Sequence, residues 1–276
     1  MNKKKIKIAI SGAIGRMGKM IIKNLIKKKK KYLSVLLTKK KNKKTKKKII
    51  NLIGKKKFKK IIFSDSINKV NQYFNILIDF STPKNTIKNI ENCILNKKKI
   101  VIGTTGFNKK EKKKIYEAKK KISILKSSNF SIGINLLLNT LKKITKKIGK
   151  ISDIEIIEKH HNKKKDSPSG TSIEIGKTIT KTMNIKLKNN AVYTRYGYIK
   201  KRKKNTIGFS AIRAGNIIGE HKIIFAIKGE IIELTHKAIN RKIFSSGAIL
   251  GAKWLYNKKP GIYNMKDVLK NIKFNK

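Results

Sequence analysis

The sequence predicts an α/β protein: a Rossmann-type, doubly wound parallel sheet joined to a smaller α+β domain with a mixed or antiparallel sheet. Short apolar runs at Ile6 to Ser11, Leu33 to Leu37, Phe74 to Phe80, Ile100 to Ile102 and Ile122 to Leu125 alternate with helical stretches. That is the rhythm of a parallel sheet covered on both faces. A glycine triplet, Gly12, Gly15 and Gly18, falls where the first strand gives way to the first helix. Beyond Met183 the rhythm stops. Ala191 to Tyr196, Thr206 to Arg213, Ile217 to Ile227 and Ile231 to Thr235 read as strands separated by glycine or charge turns.

The first strand turns at Gly12 into a helix expected over Met17 to Lys30. Glycines at that turn permit a tight bend and close approach of backbone to a pyrophosphate, with a helix N-terminus facing the negative charge. Gly12, Ala13, Ile14, Gly15, Arg16 and Met17 are therefore candidate cofactor residues. The second strand ends at Thr38 and Lys39, where an NAD site would place a carboxylate on the ribose. A hydroxyl and a cation suit a 2′-phosphate better, so Thr38 and Lys39 point to NADPH, with NADH as the alternative. Lys39 to Lys48 reads as a solvated charge run or loop.

The run ending at Asp79 meets a helix start at Ser81, Thr82 and Pro83, and that helix reaches Asn96. Gly103, Thr104 and Thr105 follow the strand Ile100 to Ile102, at a carboxyl end where doubly wound sheets bind ligands. A helix over Lys109 to Lys121 and the strand Ile122 to Leu125 lead to Ser127, Ser128, Asn129 and Phe130, further candidates for the cofactor. The pattern leaves Phe130 open between facing a nicotinamide and simple core.

After a long amphipathic helix, Ile132 to Ile148, comes the chemically densest stretch of the chain, Glu155 to Thr171. It holds His160 and His161, Lys163, Lys164 and Lys165, Asp166, and a Ser169-Gly170-Thr171 helix start, in a chain of 4 histidines and 14 acids. Imidazole titrates near neutral pH, lysine supplies a movable positive charge, and helix-start N–H groups suit an anion. Such a loop can bind an acidic small molecule and move a proton on it. His221 and His236 are isolated in sequence and read as hydrogen-bonded structural histidines, and Gly219 as a bulge in a strand. Arg213 to Asn216 reads as a turn. The histidines and the single Cys93 give no zinc spacing, so no metal is expected, and Cys93 reads as buried packing. Arg241 to Leu255 reads as a helix with small residues along one side, returning to the first domain before a short tail.

A formal charge of +58 over 276 residues resembles that of a nucleic-acid binder. Lysine, however, is spread through almost every segment with isoleucine and asparagine, and arginine occurs only at 16, 195, 202, 213 and 241. All three abundant residues have A/T-rich codons, so compositional drift explains the charge and no specific nucleic acid is expected. One cysteine fits a reducing cytosol. No segment reaches the ~20 apolar residues of a membrane span. The expectation is a cytoplasmic protein without a membrane partner.

Taken together, GAIGRMG at 12–18, IDFSTP at 78–83, IGTTGF at 102–107, SNFSIG at 128–133, EIIEKHHNKKKDSPSGT at 155–171 and IRAGNIIGEH at 212–221 resemble the 4-hydroxy-tetrahydrodipicolinate (dihydrodipicolinate) reductase family. THKAINR at 235–241 and GIYNMKDVL at 261–269 extend the likeness nearly end to end. The resemblance implies a dinucleotide-binding domain of 1–130 with 241–276, and a substrate-binding and oligomerisation domain of 131–240. It implies NAD(P)H-dependent reduction of 4-hydroxy-tetrahydrodipicolinate to tetrahydrodipicolinate on the diaminopimelate route to lysine, by a homotetramer. Carried over by position, His160 is the general acid/base and Lys164 the second proton donor. His161, Lys164, Ser169, Gly170 and Thr171 would hold the substrate's carboxylates. The chain departs from the family's frequent acid at position 38, where it has Thr38, and from a smaller residue where it has Ile14.

Overall fold

The computed structural model of the chain describes residues 6–27, 32–38 and 42–270. They divide into two compact units, one running up to Phe130 and resuming at Lys242, the other Ser131–Arg241.

The first unit opens with β1 (Ile8–Ser11), α1 (Arg16–Lys27), β2 (Leu33–Leu37), α2 (Lys43–Ile53), the single turn α3 (Lys55–Phe58) and β3 (Ile62–Ser64). It continues with β4 (Ile76–Asp79), α4 (Pro83–Leu95), β5 (Lys99–Ile102), α5 (Lys109–Ala118) and β6 (Ser123–Lys126). The second unit comprises α6 (Ile132–Ile148), β7 (Asp153–His160), α7 (Gly170–Thr182), α8 (Leu187–Asn190), β8 (Ala191–Val192), β9 (Ile207–Arg213), β10 (Glu220–Ile227) and β11 (Glu230–Lys237). The chain then returns to the first unit as α9 (Lys242–Leu255), β12 (Gly261–Tyr263) and α10 (Met265–Lys270).

Among the described residues the first sheet has the order β12-β6-β5-β4-β1-β2-β3, and its pairings are all parallel. Its strands are short continuous apolar runs because both faces are covered. On one face Ile21, Ile22 and Leu25 of α1 join Ala248, Ile249, Ala252 and Leu255 of α9 over Ile8, Ile10, Ile76 and Ile78. On the other, Ile87, Ile90 and Cys93 of α4 join Ile115 and Ala118 of α5 over Leu77, Ile100 and Ile102. Each fully buried Ile or Leu contributes roughly 1.5–3 kcal/mol. The small side of α9 has a specific use, because a Cβ on Gly247 would collide with the Phe130 carbonyl and one on Gly251 with Leu125.

The strand order reverses between β1 and β4. β1 hands the chain to β2 on one flank, and β4 lies on its other flank. At such a switch point the strand carboxyl ends leave a crevice for a ligand.

The second sheet is mixed, with order β11-β10-β7-β9-β8. β10 is antiparallel to both β11 and β7, while β7 and β8 run parallel to β9. Here β7 and β10 alternate. Ile154, Ile156, Glu158 and His160 of β7 are buried and the residues between them are not. The buried face packs on α6 and α7 through Leu138, Leu141, Ile175 and Ile179.

Several expectations need correction. Lys43 to Lys48 is helix rather than loop: Asn42 and Thr45 form a capping box, and Ile49 and Ile53 are buried beneath the lysines. Lys39 and the expected helix end at 28–30 lie outside the described residues. The stretch leading to His160 is not a loop: β7 runs on to His160, which therefore sits on a strand. The strand expected over 191–196 is only Ala191–Val192, and Tyr196 and Tyr198 beyond it are fully exposed. β12, which extends the first sheet beside β6, was not foreseen. No described helix is long and apolar enough to cross a membrane.

Candidate functional site

In the first unit, the carboxyl ends of β1, β4, β5 and β6 gather around Phe80. Gly12 has φ +77°, a conformation costly for any residue with a Cβ, and a Cβ there would run into the Phe80 carbonyl. A Cβ on Gly18 would strike the Gly12 carbonyl, so the third glycine lets the first turn of α1 fold back on the loop itself. A Cβ on Gly103 would overlap the Phe80 ring, and the Phe130 ring lies 5.5 Å from it. Gly103 N–H donates to the Asp79 carbonyl (2.8 Å). Ser81 N–H is shared by the Asp79 carboxylate (2.9 Å) and the Thr104 hydroxyl (3.1 Å).

Asp79 is the electrostatic oddity of this unit. Burial raises its pKa, opposed by hydrogen bonds from Ser81, Asn89 and Thr86. Asn89 ties it to Ser11, and Asn85 reaches the same serine. A buried polar network therefore fixes the turn after β4 beside the glycine loop.

The expected cofactor residues fall into two groups. Ile14, Gly15, Arg16 and Met17 form the partly or fully exposed start of α1, and Gly103, Thr105, Ser127, Ser128 and Asn129 the partly or fully exposed ends of β5 and β6. Ala13, Thr38, Thr104 and Phe130 are buried. Phe130 at 2 % exposure belongs to the core, and Thr38 N–H closes the sheet by donating to the Ser64 carbonyl (3.0 Å). The left-handed glycine turn, the helix N-terminus behind it and the switch point form a cradle that fits a dinucleotide pyrophosphate.

In the second unit the period-2 alternation of β7 points Glu158 and His160 to the same side. His160 Nδ1 meets Glu158 Oε2 in a short hydrogen bond. The other oxygen, Oε1, accepts from Arg213 Nη2 (2.7 Å) and from Ser169 N–H (2.9 Å). Burial pushes the Glu158 pKa up, but the hydrogen bonds from His160, Arg213 and Ser169 prevail and lower it to about 2.

Sheet register brings the rest. His160 pairs with Arg213 of β9, and Glu158 with His221 of β10. The His221 ring stands edge-on to the His160 ring at 5.2 Å, and its Nε2 lies 3.2 Å from the Ser169 hydroxyl. Burial, then the neighbouring His160, lowers the His221 pKa to about 4. Gly219 precedes β10 rather than bulging within it. A Cβ there would sit 3.1 Å from His160 Nε2. His221 is thus not isolated. His236 is the more structural of the two, its Nε2 3.4 Å from the Ser131 hydroxyl.

Ser169 caps α7, its hydroxyl accepting from Ser172 N–H. His161 lies just past the strand end, half-buried, with its pKa lowered by desolvation and by the neighbouring Arg241, His160, Lys164 and Arg213. Lys164 Nζ holds both oxygens of Asp166 (2.8 and 2.9 Å). That pairing, with help from the Gly170 N–H, lowers the Asp166 pKa. An exposed carboxylate therefore sits on the lysine and helix-start groups that sequence reasoning assigned to a substrate anion. Gly170 is exposed and Thr171 half-buried in the first turn of α7.

Sequence reasoning missed Glu158, Arg213 and His221. The signal for Glu158 was available, two residues before His160 on an alternating strand. Glu158, His160 and His221 offer donor atoms within 4.8 Å of one another. Both Glu158 oxygens are engaged by Arg213, Ser169 and His160, and His221 joins the group through the Ser169 hydroxyl and the His160 ring.

Comparison with known proteins gives a consistent picture. The family model described as "Dihydrodipicolinate reductase, N-terminus" matches residues 6–130, and "Dihydrodipicolinate reductase, C-terminus" matches residues 133–269. A 4-hydroxy-tetrahydrodipicolinate reductase of Buchnera aphidicola subsp. Baizongia pistaciae is 51% identical over 98% of this chain and 99% of its own. One from Pseudoalteromonas atlantica is 41% identical over 95% and 98%. Among solved structures, a dipicolinate-bound dihydrodipicolinate reductase from Paenisporosarcina sp. TG-14 superposes with a TM-score of 0.74 at 20% identity, covering 94% of this chain and 97% of that one. With matched segments spanning both units and close relatives aligned almost end to end, the chain belongs to the dihydrodipicolinate reductase family.

Proposed function

We propose that this chain reduces 4-hydroxy-tetrahydrodipicolinate to tetrahydrodipicolinate with a nicotinamide cofactor, on the diaminopimelate route to lysine. Family membership supports the reaction class. The observation that carries the residue roles is the buried Glu158–His160 pair beside a lysine and a helix N-terminus. Overall, substrate, reduced cofactor and one proton give product, oxidised cofactor and water. A reduced dinucleotide with its pyrophosphate at the glycine turn would supply the hydride to C4 of the cyclic imine, after the C4 hydroxyl and a C3 proton have left as water, leaving an enamine.

The chain's own residues do the rest. His160 gives the proton that the developing enamine needs, and such a positioned acid is worth ~10²–10⁴-fold in rate. Lys164 is the second donor and, with His161, neutralises a substrate carboxylate. For this its ammonium exchanges the Asp166 carboxylate for the substrate's. Gly170 and Thr171 offer helix-start N–H groups to the same anion, and Ser169 holds that helix start in place by its cap.

Gly12 to Met17, Gly103 to Thr105 and Ser127 to Asn129 surround the cofactor, with Phe130 packed in the core behind them. NADPH is the preferred form, because Thr38 follows β2 where a carboxylate would favour NAD. A homotetramer is the proposed assembly. Exposed Ile212, Ile231 and Ile232 in the second sheet and exposed Tyr196, Tyr198 and Ile199 supply the apolar surface it would cover.

The test follows loss of reduced-nicotinamide absorbance with freshly generated substrate, for wild type and His160→Gln. Oxidation that depends on substrate and drops ~10²–10⁴-fold in the variant, with binding kept, supports the reading. A folded wild type that oxidises neither NADPH nor NADH overturns it.

A further inference from the structure

The deepest charge in the second unit belongs to Glu158, and nothing in the proposed chemistry yet uses it. Its side chain is 1 % exposed, and every polar contact to it is directed. Oε1 is saturated by Arg213 and the Ser169 N–H. Arg213 is itself anchored to the carbonyls of Ile212 (2.9 Å) and Asp166 (2.7 Å). An ion pair with Arg213 would already satisfy a buried carboxylate. Oε2 is nevertheless turned to a single partner, His160 Nδ1.

We propose that Glu158 is a positioning residue for proton transfer by His160. Its carboxylate fixes the imidazole with Nδ1–H bound, so that Nε2 carries the transferred proton. This rests on the reading of His160 as proton donor.

The ring is held from several sides. Glu158 takes Nδ1, the His221 ring lies edge-on to it, and Gly219 leaves only its hydrogen beside Nε2. Before transfer, the carboxylate offsets the imidazolium charge. After Nε2 releases its proton to the substrate carbon, Nδ1–H is still bound and the neutral ring is left in one tautomer. Arg213 keeps the carboxylate from taking the proton itself, because a carboxylate paired with a guanidinium holds its charge. The other charged or titratable groups around this pair are His221, Lys164 and His161, with His236 near His221, Arg241 near His161, and Asp166 held by Lys164. Glu158 is the carboxylate bonded to the ring.

The experiment compares wild type, Glu158→Gln, His160→Gln and the double variant across pH, with substrate and NADPH varied. Glu158→Gln should lower kcat by ~10–10²-fold while the substrate KM stays within about threefold. The kcat profile across pH should also differ between Glu158→Gln and wild type. In the His160→Gln background the same change should cost nothing further in kcat. Nitrogen-15 NMR of labelled histidine should show the Nδ1–H tautomer at His160 in wild type and its loss in Glu158→Gln.

A folded Glu158→Gln with wild-type kcat and profile overturns the role, as do losses that multiply in the double variant. If Glu158→Gln does not fold, Glu158→Asp keeps the charge and withdraws it by one methylene. Lowered kcat at constant KM then supports the role and unchanged kcat overturns it. A wild type that reduces no substrate sinks the function reading, whereas an active wild type with a silent Glu158→Gln sinks only the positioning role.

Discussion

Gly12 and the carbonyl of Phe80 touch across the boundary between β1 and β4, with no space for a side chain between them. Gly12 also has φ +77°, so Gly12→Ala meets two penalties at once. The backbone conformation alone costs ~1–2 kcal/mol. We expect a lower melting temperature together with NADPH binding weakened about tenfold, which corresponds to ~1.4 kcal/mol. Thermal unfolding and a cofactor-fluorescence titration read both. Gly15→Ala is the control. Its Cβ would lie 3.1 Å from the Gly12 carbonyl at an ordinary φ, so it should be milder, and equal losses would argue against the Phe80 contact.

In the proposed site, Asp166 holds Lys164, a group that a dicarboxylate would need. Asp166→Asn should lower the substrate KM by ~3–10-fold and tighten binding of pyridine-2,6-dicarboxylate, because Lys164 no longer has an internal counter-ion. Lys164→Ala should do the reverse and also lower kcat. Steady-state kinetics and calorimetric titration check the pair of variants. A raised KM in Asp166→Asn would mean that the aspartate aims Lys164 rather than blocking it.

His221 gives the fold a pH dependence. Its native pKa is lowered to about 4 from an ordinary 6.5. Between those values the unfolded chain binds the proton and the native chain does not. Stability is therefore present in full above pH 6.5 and is lost as pH falls toward 4. The loss from this one group between pH 7 and pH 5 is about 2 kcal/mol. Urea unfolding at the two pH values should show it, and His221→Gln should flatten the difference by that amount. A variant that stays as pH-sensitive as wild type would assign the effect to other groups, such as His161 or His236.

Salt should act on stability and on catalysis with opposite signs. A formal charge of +58 repels itself in the folded state, and screening that repulsion should raise the melting temperature from low to moderate ionic strength. The same screening weakens capture of an anionic substrate and cofactor, so kcat/KM should fall as the Debye length shrinks to ~8 Å at physiological salt. Calorimetry and kinetics over one salt series test both. A kcat/KM that does not change would confine the lysines to compositional background.

The parts of this protein legible in its sequence are the local ones. Apolar runs spaced by helical stretches gave the parallel sheet, because a strand buried on both faces has no other reading at that length. The Gly12–Gly18 frame and the Ser169 cap are likewise written in neighbouring residues. The network around His160 was only half legible. Arg213 and His221 reach it through the pairing of β9 and β10 with β7, a register that no stretch of sequence displays. Glu158 escaped because the histidine pair suggested a loop, although the strand runs on to His160. Phe80 read as a strand end, and its service as the surface on which Gly12 and Gly103 close appears only when three strand ends converge. The helix under Lys43 to Lys48 was hidden by charge. Lysine is a good helix former, and Ile49 and Ile53 suffice to seat it.

Pairing of Gly261–Tyr263 with Ser123–Leu125 has a consequence for synthesis on the ribosome. The first unit closes only with residues made after the whole of Ser131–Arg241. When Phe130 emerges, its sheet lacks an edge strand, and the apolar face over Ile8, Ile10, Ile76 and Ile78 lacks the cover of α9. The later-made unit can complete its own sheet first, because each of its strands and helices lies within one continuous segment. Order of birth and order of completion are thus inverted. The nascent first unit waits, with unpaired strand and exposed isoleucine, through the translation of about 110 residues, ~5–20 s at ~5–20 residues per second. Chaperone dependence in this chain should therefore track the interval between Phe130 and Lys242 rather than total length.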